Sequence, residues 1–117
     1  MFTRFARLVS VVAALTLLTS SIAAADDPIA ITASDGRFTP GTIVLKVGVP
    51  TTLRLSSTEG VHGVQSDELG ISQTLIFPGK VTEVTLTPKK PGTYVIHCSV
   101  PCGSGHDSMT LTVKVES

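Results

Sequence analysis

Two thiols, an imidazole and a thioether fall within twelve residues near the C-terminus: Cys98, Cys102, His106 and Met109. These are soft or borderline donors. Thiolate and thioether suit monovalent copper and imidazole serves both copper oxidation states, while a His, Cys and Met set with a long axial sulfur is an electron-transfer arrangement. Gly103 and Gly105 lie inside the same segment, and residues without a Cβ let the backbone turn tightly enough for nearby side chains to converge. One loop cannot enclose a metal by itself, so a donor from another part of the chain is expected. His62 is the only histidine before residue 97, and it is the candidate.

Three neighbouring features have competing uses. His97 adjoins Cys98, but successive side chains of an extended strand point to opposite faces, so His97 is expected to face solvent or support the site from outside. Asp107 has the chemistry to accept a hydrogen bond from a metal-bound His106, or to stand as a solvated loop carboxylate. Cys98 and Cys102 could form a disulfide. Closing so short a loop contributes only about 2 kcal/mol, and it leaves His106 and Met109 unexplained, although the disulfide is expected to form readily when metal is absent. A saturated metal site has no open position for substrate, and neither a Ser–His–Asp arrangement nor a carboxylate pair stands out, so the chain is not expected to be an enzyme.

The elements that must hold these donors read as strands. From Asp26 onward the sequence is short-period, β-branched and broken by turn residues, with no helical periodicity sustained over ten residues. A first strand is expected over residues 29–33, followed by alternation at Ile43, Leu45 and Val47, then at Leu53 and Leu55. Residues 56–63 read as a polar loop holding His62, and the segment after it is the hardest to assign. Phe77, Pro78, Gly79 and Lys80 signal a turn before the alternating Thr82, Val84 and Leu86. Residues 93–98 and 109–115 form the last two strands. Period-two geometry puts Tyr94, Ile96 and Cys98 on one face and Val95 and His97 on the other, and it aligns Met109, Leu111, Val113 and Val115 on the core side. Seven or so strands at this spacing predict an all-β sandwich.

Several motifs along this region resemble the cupredoxins, and within them the periplasmic copper A domain of cytochrome c oxidase subunit II. They are Phe38-Thr39-Pro40, Val61-His62-Gly63, the turn from Phe77 to Lys80, Gly92-Thr93-Tyr94 and, most specifically, C-x-x-x-C-G-x-x-H-x-x-M from Cys98 to Met109. The resemblance implies a cupredoxin-like Greek-key β-sandwich and a dinuclear copper centre. Cys98 and Cys102 would bridge two coppers, His62 would bind one and His106 the other, with Met109 as a weak axial donor and the Val100 carbonyl in the remaining axial position. Where the oxidase family usually has an acidic residue between the cysteines, this chain has Val100; it also has no tryptophan. A free-standing relative is expected rather than an oxidase subunit.

Arg4 and Arg7 precede the uncharged apolar stretch 8–18, and small residues follow, ending in Ala23, Ala24 and Ala25. This is the layout of a signal peptide over residues 1–25, with an uncleaved membrane anchor as the other use of the segment, and the domain then occupies residues 26–117. Without Arg4 and Arg7, seven of the nine basic residues remain against nine acidic ones, a net charge near −2. No basic surface predicts nucleic-acid binding. The expected protein is an exported or periplasmic monomer that transfers electrons with a c-type cytochrome or an oxidase. Two alternatives stand beside it: a mononuclear, blue-copper-like site built from His62, Cys102, His106 and Met109, and a copper chaperone or store delivering Cu(I).

Overall fold

The computed structural model describes residues 14, 16, 27–101 and 108–117. The expected leader, residues 1–25, falls outside them apart from residues 14 and 16. Among the described residues no helix is long and apolar enough to cross a membrane. Nine strands follow one another: β1 (Ile29–Ser34), β2 (Arg37–Thr39), β3 (Thr42–Lys46), β4 (Thr51–Ser57), β5 (His62–Ser66), β6 (Ile71–Ile76), β7 (Thr82–Leu86), β8 (Gly92–His97) and β9 (Thr110–Glu116). They form a four-stranded sheet in the order β2-β1-β4-β7, a three-stranded sheet β3-β9-β8 and the two-stranded β5-β6. The all-β Greek-key sandwich expected from the sequence is therefore the fold. The strand number exceeds expectation because the three-residue β2 and the β5–β6 hairpin carry little hydrophobic alternation.

Alternation decides which side chains meet. β3 runs exposed, buried, exposed, buried, exposed, so Ile43 and Leu45 enter the core while Val44 stays out. β1 and β4 lie parallel, with Ile31 opposite Leu55, and β3 and β9 lie parallel, with Leu45 opposite Val115. Ile31, Leu53 and Leu55 of one sheet join Leu45, Leu111 and Val113 of the other in a single buried cluster. Each such side chain contributes on the order of 1.5–3 kcal/mol through removal from water, which makes the sandwich a stiff support for what sits at its end. Cys98 and Met109 belong to this same cluster, so the sulfur-bearing end of the β8–β9 pair is continuous with the core.

Candidate metal centre

His62 is the first residue of β5, opposite Ile76 of β6. This corrects the expectation of a loop over residues 56–63. Ser56 and Ser57 still belong to β4, and the connection shrinks to residues 58–61. The hairpin was hidden because its exposed positions are polar, as at Gln65, Ser72 and Gln73, because Gly63 has no side chain, and because the register shifts between Val64 and Ser66. The inward side of β5 carries His62 and Val64, at 2% and 1% exposure. Val61, Leu75 and Phe77 are exposed.

The two ring nitrogens of His62 differ. Nε2 lies 2.9 Å from the carbonyl oxygen of Glu59. A carbonyl only accepts, so Nε2 carries the hydrogen, and the neutral ring then keeps its lone pair on Nδ1. Among the described residues Nδ1, which is buried, has no hydrogen-bond partner. An unpaired buried acceptor costs about 1–3 kcal/mol, and a metal ion is one group that would satisfy it. Imidazoles that bind metals almost always donate their other N–H to a carbonyl, carboxylate or water, which is the arrangement around Nε2.

The second half of the site leaves β8. Cys98 follows the last strand residue, and its N–H donates to the Met109 carbonyl at 3.1 Å, extending the ladder one step past the pair of His97 and Thr110. Cys98 and Met109 are 4% and 0% exposed, on the inner side with Ile96 and Leu111, as the alternation predicts. Cys98 is a free thiol whose Sγ donates to the Val100 carbonyl at 3.4 Å. That carbonyl is the one the family resemblance assigns to an axial position, so two of the expected donor atoms are already neighbours.

What joins the two halves is a backbone contact. The Ser99 N–H donates to the Gly63 carbonyl at 3.0 Å, so the residue after Cys98 is fastened to the residue after His62. The fit is close: a Cβ added at Gly63 would stand 2.5 Å from Ser99 Oγ and 3.3 Å from the Thr74 carbonyl. Sequence reasoning overlooked Ser99 and the roles of Ser57 and the Glu59 carbonyl. The available signal was the order Ser57, Glu59, Gly60, His62, since serine hydroxyls commonly bond the backbone two residues on and so close turns. Gly63 was visible only as part of the Val61-His62-Gly63 motif.

Cys102, His106 and Asp107, with Gly103 and Gly105, lie outside the described residues. Among the described residues no group of three His, Cys, Asp or Glu converges; of the expected donors, His62, Cys98, Met109 and the Val100 carbonyl lie among the described residues. His97 is exposed on the opposite face of β8. Replacing it with alanine is expected to leave copper content and affinity unchanged within about twofold, read by metal analysis and chelator competition; loss of a copper would make it a donor.

Comparison with solved structures agrees with this fold. The fold is similar to the periplasmic domain of subunit II of cytochrome oxidase (CoxB) of Bradyrhizobium japonicum, with a TM-score of 0.71 and 18% identity over 80% of this chain and 86% of that one. A heme-copper terminal oxidase solved as a dimer by cryo-EM gives a TM-score of 0.64 at 26% identity, over 78% of this chain, which spans 65% of that one. Auracyanin A, a blue copper protein from Chloroflexus aurantiacus, gives 0.55 at 17% identity, over 77% of this chain and all of that one, 100%. The family model of the cupredoxin-like domain matches residues 7–113. With the described strands arranged in mixed sheets and the family model covering residues 7–113, the chain belongs to the cupredoxin-like domain family.

Proposed function

We propose that the protein is an exported electron carrier that holds two copper ions between Cys98 and Cys102, with His62, His106 and Met109 as the other side-chain donors and the Val100 carbonyl completing the set. The observation that carries this reading is the buried Nδ1 of His62, unpartnered and oriented by the Glu59 carbonyl, on the strand fastened to the Cys98 segment. The residues fit the group: a neutral imidazole nitrogen, a free buried thiol and a fully buried thioether are what copper takes as donors. When bound, a copper pair held by these residues would supply a one-electron couple. His62 contributes from a hydrogen-bonded strand and Cys98 from the end of another, so neither donor is free to move far between oxidation states.

The proposed domain is residues 26–117 behind a leader of 1–25, and the proposed partners are exported redox proteins such as a c-type cytochrome or an oxidase. The blue copper protein among the structural neighbours supports a carrier. Copper counting on protein loaded anaerobically, with electron paramagnetic resonance on the same sample, tests the proposal. Two coppers per chain and hyperfine coupling to two nuclei are expected. One copper with coupling to a single nucleus would replace the dinuclear centre by the mononuclear one, and no bound copper would end the copper reading.

A further inference from the structure

Ser57 is an unusual residue for the end of a core strand. It is 7% exposed, it stands opposite Ala33 in the β1–β4 pair, and it forms a parallel bridge to Pro78. Beyond it the Thr58 N–H donates to the Ala33 carbonyl at 3.0 Å, so the strand exit is anchored. The Ser57 hydroxyl does not point to another side chain. It lies 2.8 Å from the Glu59 carbonyl and 2.8 Å from the Gly60 carbonyl, and it draws the following turn back over the end of β4. Gly60 permits this with a left-handed φ of +70°, and a Cβ there would lie 3.8 Å from His62 Nε2. The turn therefore wraps the imidazole ring.

The Glu59 carbonyl is the shared atom. It accepts from Ser57 Oγ on one side and from His62 Nε2 on the other. A carbonyl held in that direction specifies a hydrogen on Nε2 and leaves Nδ1 as the acceptor. Were the turn to relax, Nε2 would lose its fixed acceptor, the hydrogen could occupy either nitrogen, and the ring could rotate away from its present plane.

Taking His62 as a copper donor, we propose that Ser57 is a positioning residue for it: its hydroxyl fixes the turn through Glu59 and Gly60, and so holds the imidazole in the tautomer whose Nδ1 is open to the metal. No bond is made or broken on Ser57, and among the described residues its hydroxyl bonds the Glu59 and Gly60 carbonyls.

The test is nitrogen-15 NMR of the His62 ring in metal-free full-length protein at one pH where the ring is neutral, with copper affinity measured in parallel by chelator competition. The wild type should show a single Nε2–H tautomer. Ser57→Ala should show exchange between both tautomers and lose about 10-fold to 100-fold in copper affinity. Ser57→Thr, which keeps the hydroxyl, should restore the single tautomer. Gly60→Ala disturbs the same turn from an exposed position and should also mix the tautomers, so the proposal is testable even if Ser57→Ala folds poorly. A wild-type ring in the Nδ1–H form would overturn the proposal, and so would Ser57→Ala and Gly60→Ala spectra identical to wild type. A wild type with the expected tautomer but no copper binding would instead sink the copper reading and leave the tautomer lock standing.

Discussion

Cys98→Ser is expected to remove at least one of two coppers and to abolish any signal shared between two nuclei. A serine hydroxyl is a poor replacement for a bridging thiolate, because soft metals are held by sulfur and not by a neutral alcohol. The fold should survive. Serine is close to cysteine in size, its hydroxyl keeps the donor role toward the Val100 carbonyl that Cys98 Sγ has at 3.4 Å, and the Cys98 N–H to Met109 carbonyl bond is unaffected. The stability cost should be about 1 kcal/mol, the ordinary size for a single substitution. Thermal unfolding and metal analysis on one preparation separate the outcomes: a stable protein with copper content and spectrum unchanged would show that Cys98 is not a donor.

Gly63→Ala is the second expected large effect, and it needs no metal to be seen. The new Cβ would sit 2.5 Å from Ser99 Oγ, closer than real Cβ atoms come, with the Thr74 carbonyl at 3.3 Å and Val100 Cγ1 at 3.5 Å. Crowding of this kind typically costs about 1–3 kcal/mol. It acts where the Ser99 N–H meets the Gly63 carbonyl, so the same change should loosen the join between the His62 strand and the Cys98 segment and weaken copper binding. A double-mutant cycle sharpens this. Among the described residues Ser99 Oγ is buried without a hydrogen-bond partner, so Ser99→Ala alone should be nearly neutral, and it should suppress most of the loss caused by Gly63→Ala because the clashing atom is gone. Denaturant unfolding of the four proteins reads the coupling; additive effects would mean that the contact with Ser99 is not what limits residue 63.

The inward placement of Cys98 and Met109 was legible because alternation is a local property. Tyr94, Ile96 and Cys98 against Val95 and His97 needs no knowledge of the partner strand, and neither does the buried series Met109, Leu111, Val113 and Val115. His62 was identifiable by residue type and motif, yet its setting was misread. Whether a histidine between Val61 and Gly63 lies in a loop or on a strand depends on what stands opposite, here Ile76, and that pairing has no imprint in the polar residues around it. The orientation of the imidazole was further out of reach, since it is set by a main-chain carbonyl that any residue at position 59 would supply, and only Ser57 and Gly60 around it hint at the turn. Packing between Gly63 and Ser99 is likewise a non-local fit between two segments 36 positions apart, which no periodicity encodes.

That join also implies an order of assembly. β5–β6 and β8–β9 each pair strands adjacent in sequence, and contacts local in the chain form sooner than distant ones. Each hairpin can bring its own donor into place unaided, His62 in one and the sulfur of Cys98 in the other. Their meeting must wait for the sheets to close. A nascent chain thus passes through an interval in which thiol and imidazole are both present but apart, and under the proposed copper reading an ion arriving then would find only half of its eventual surroundings.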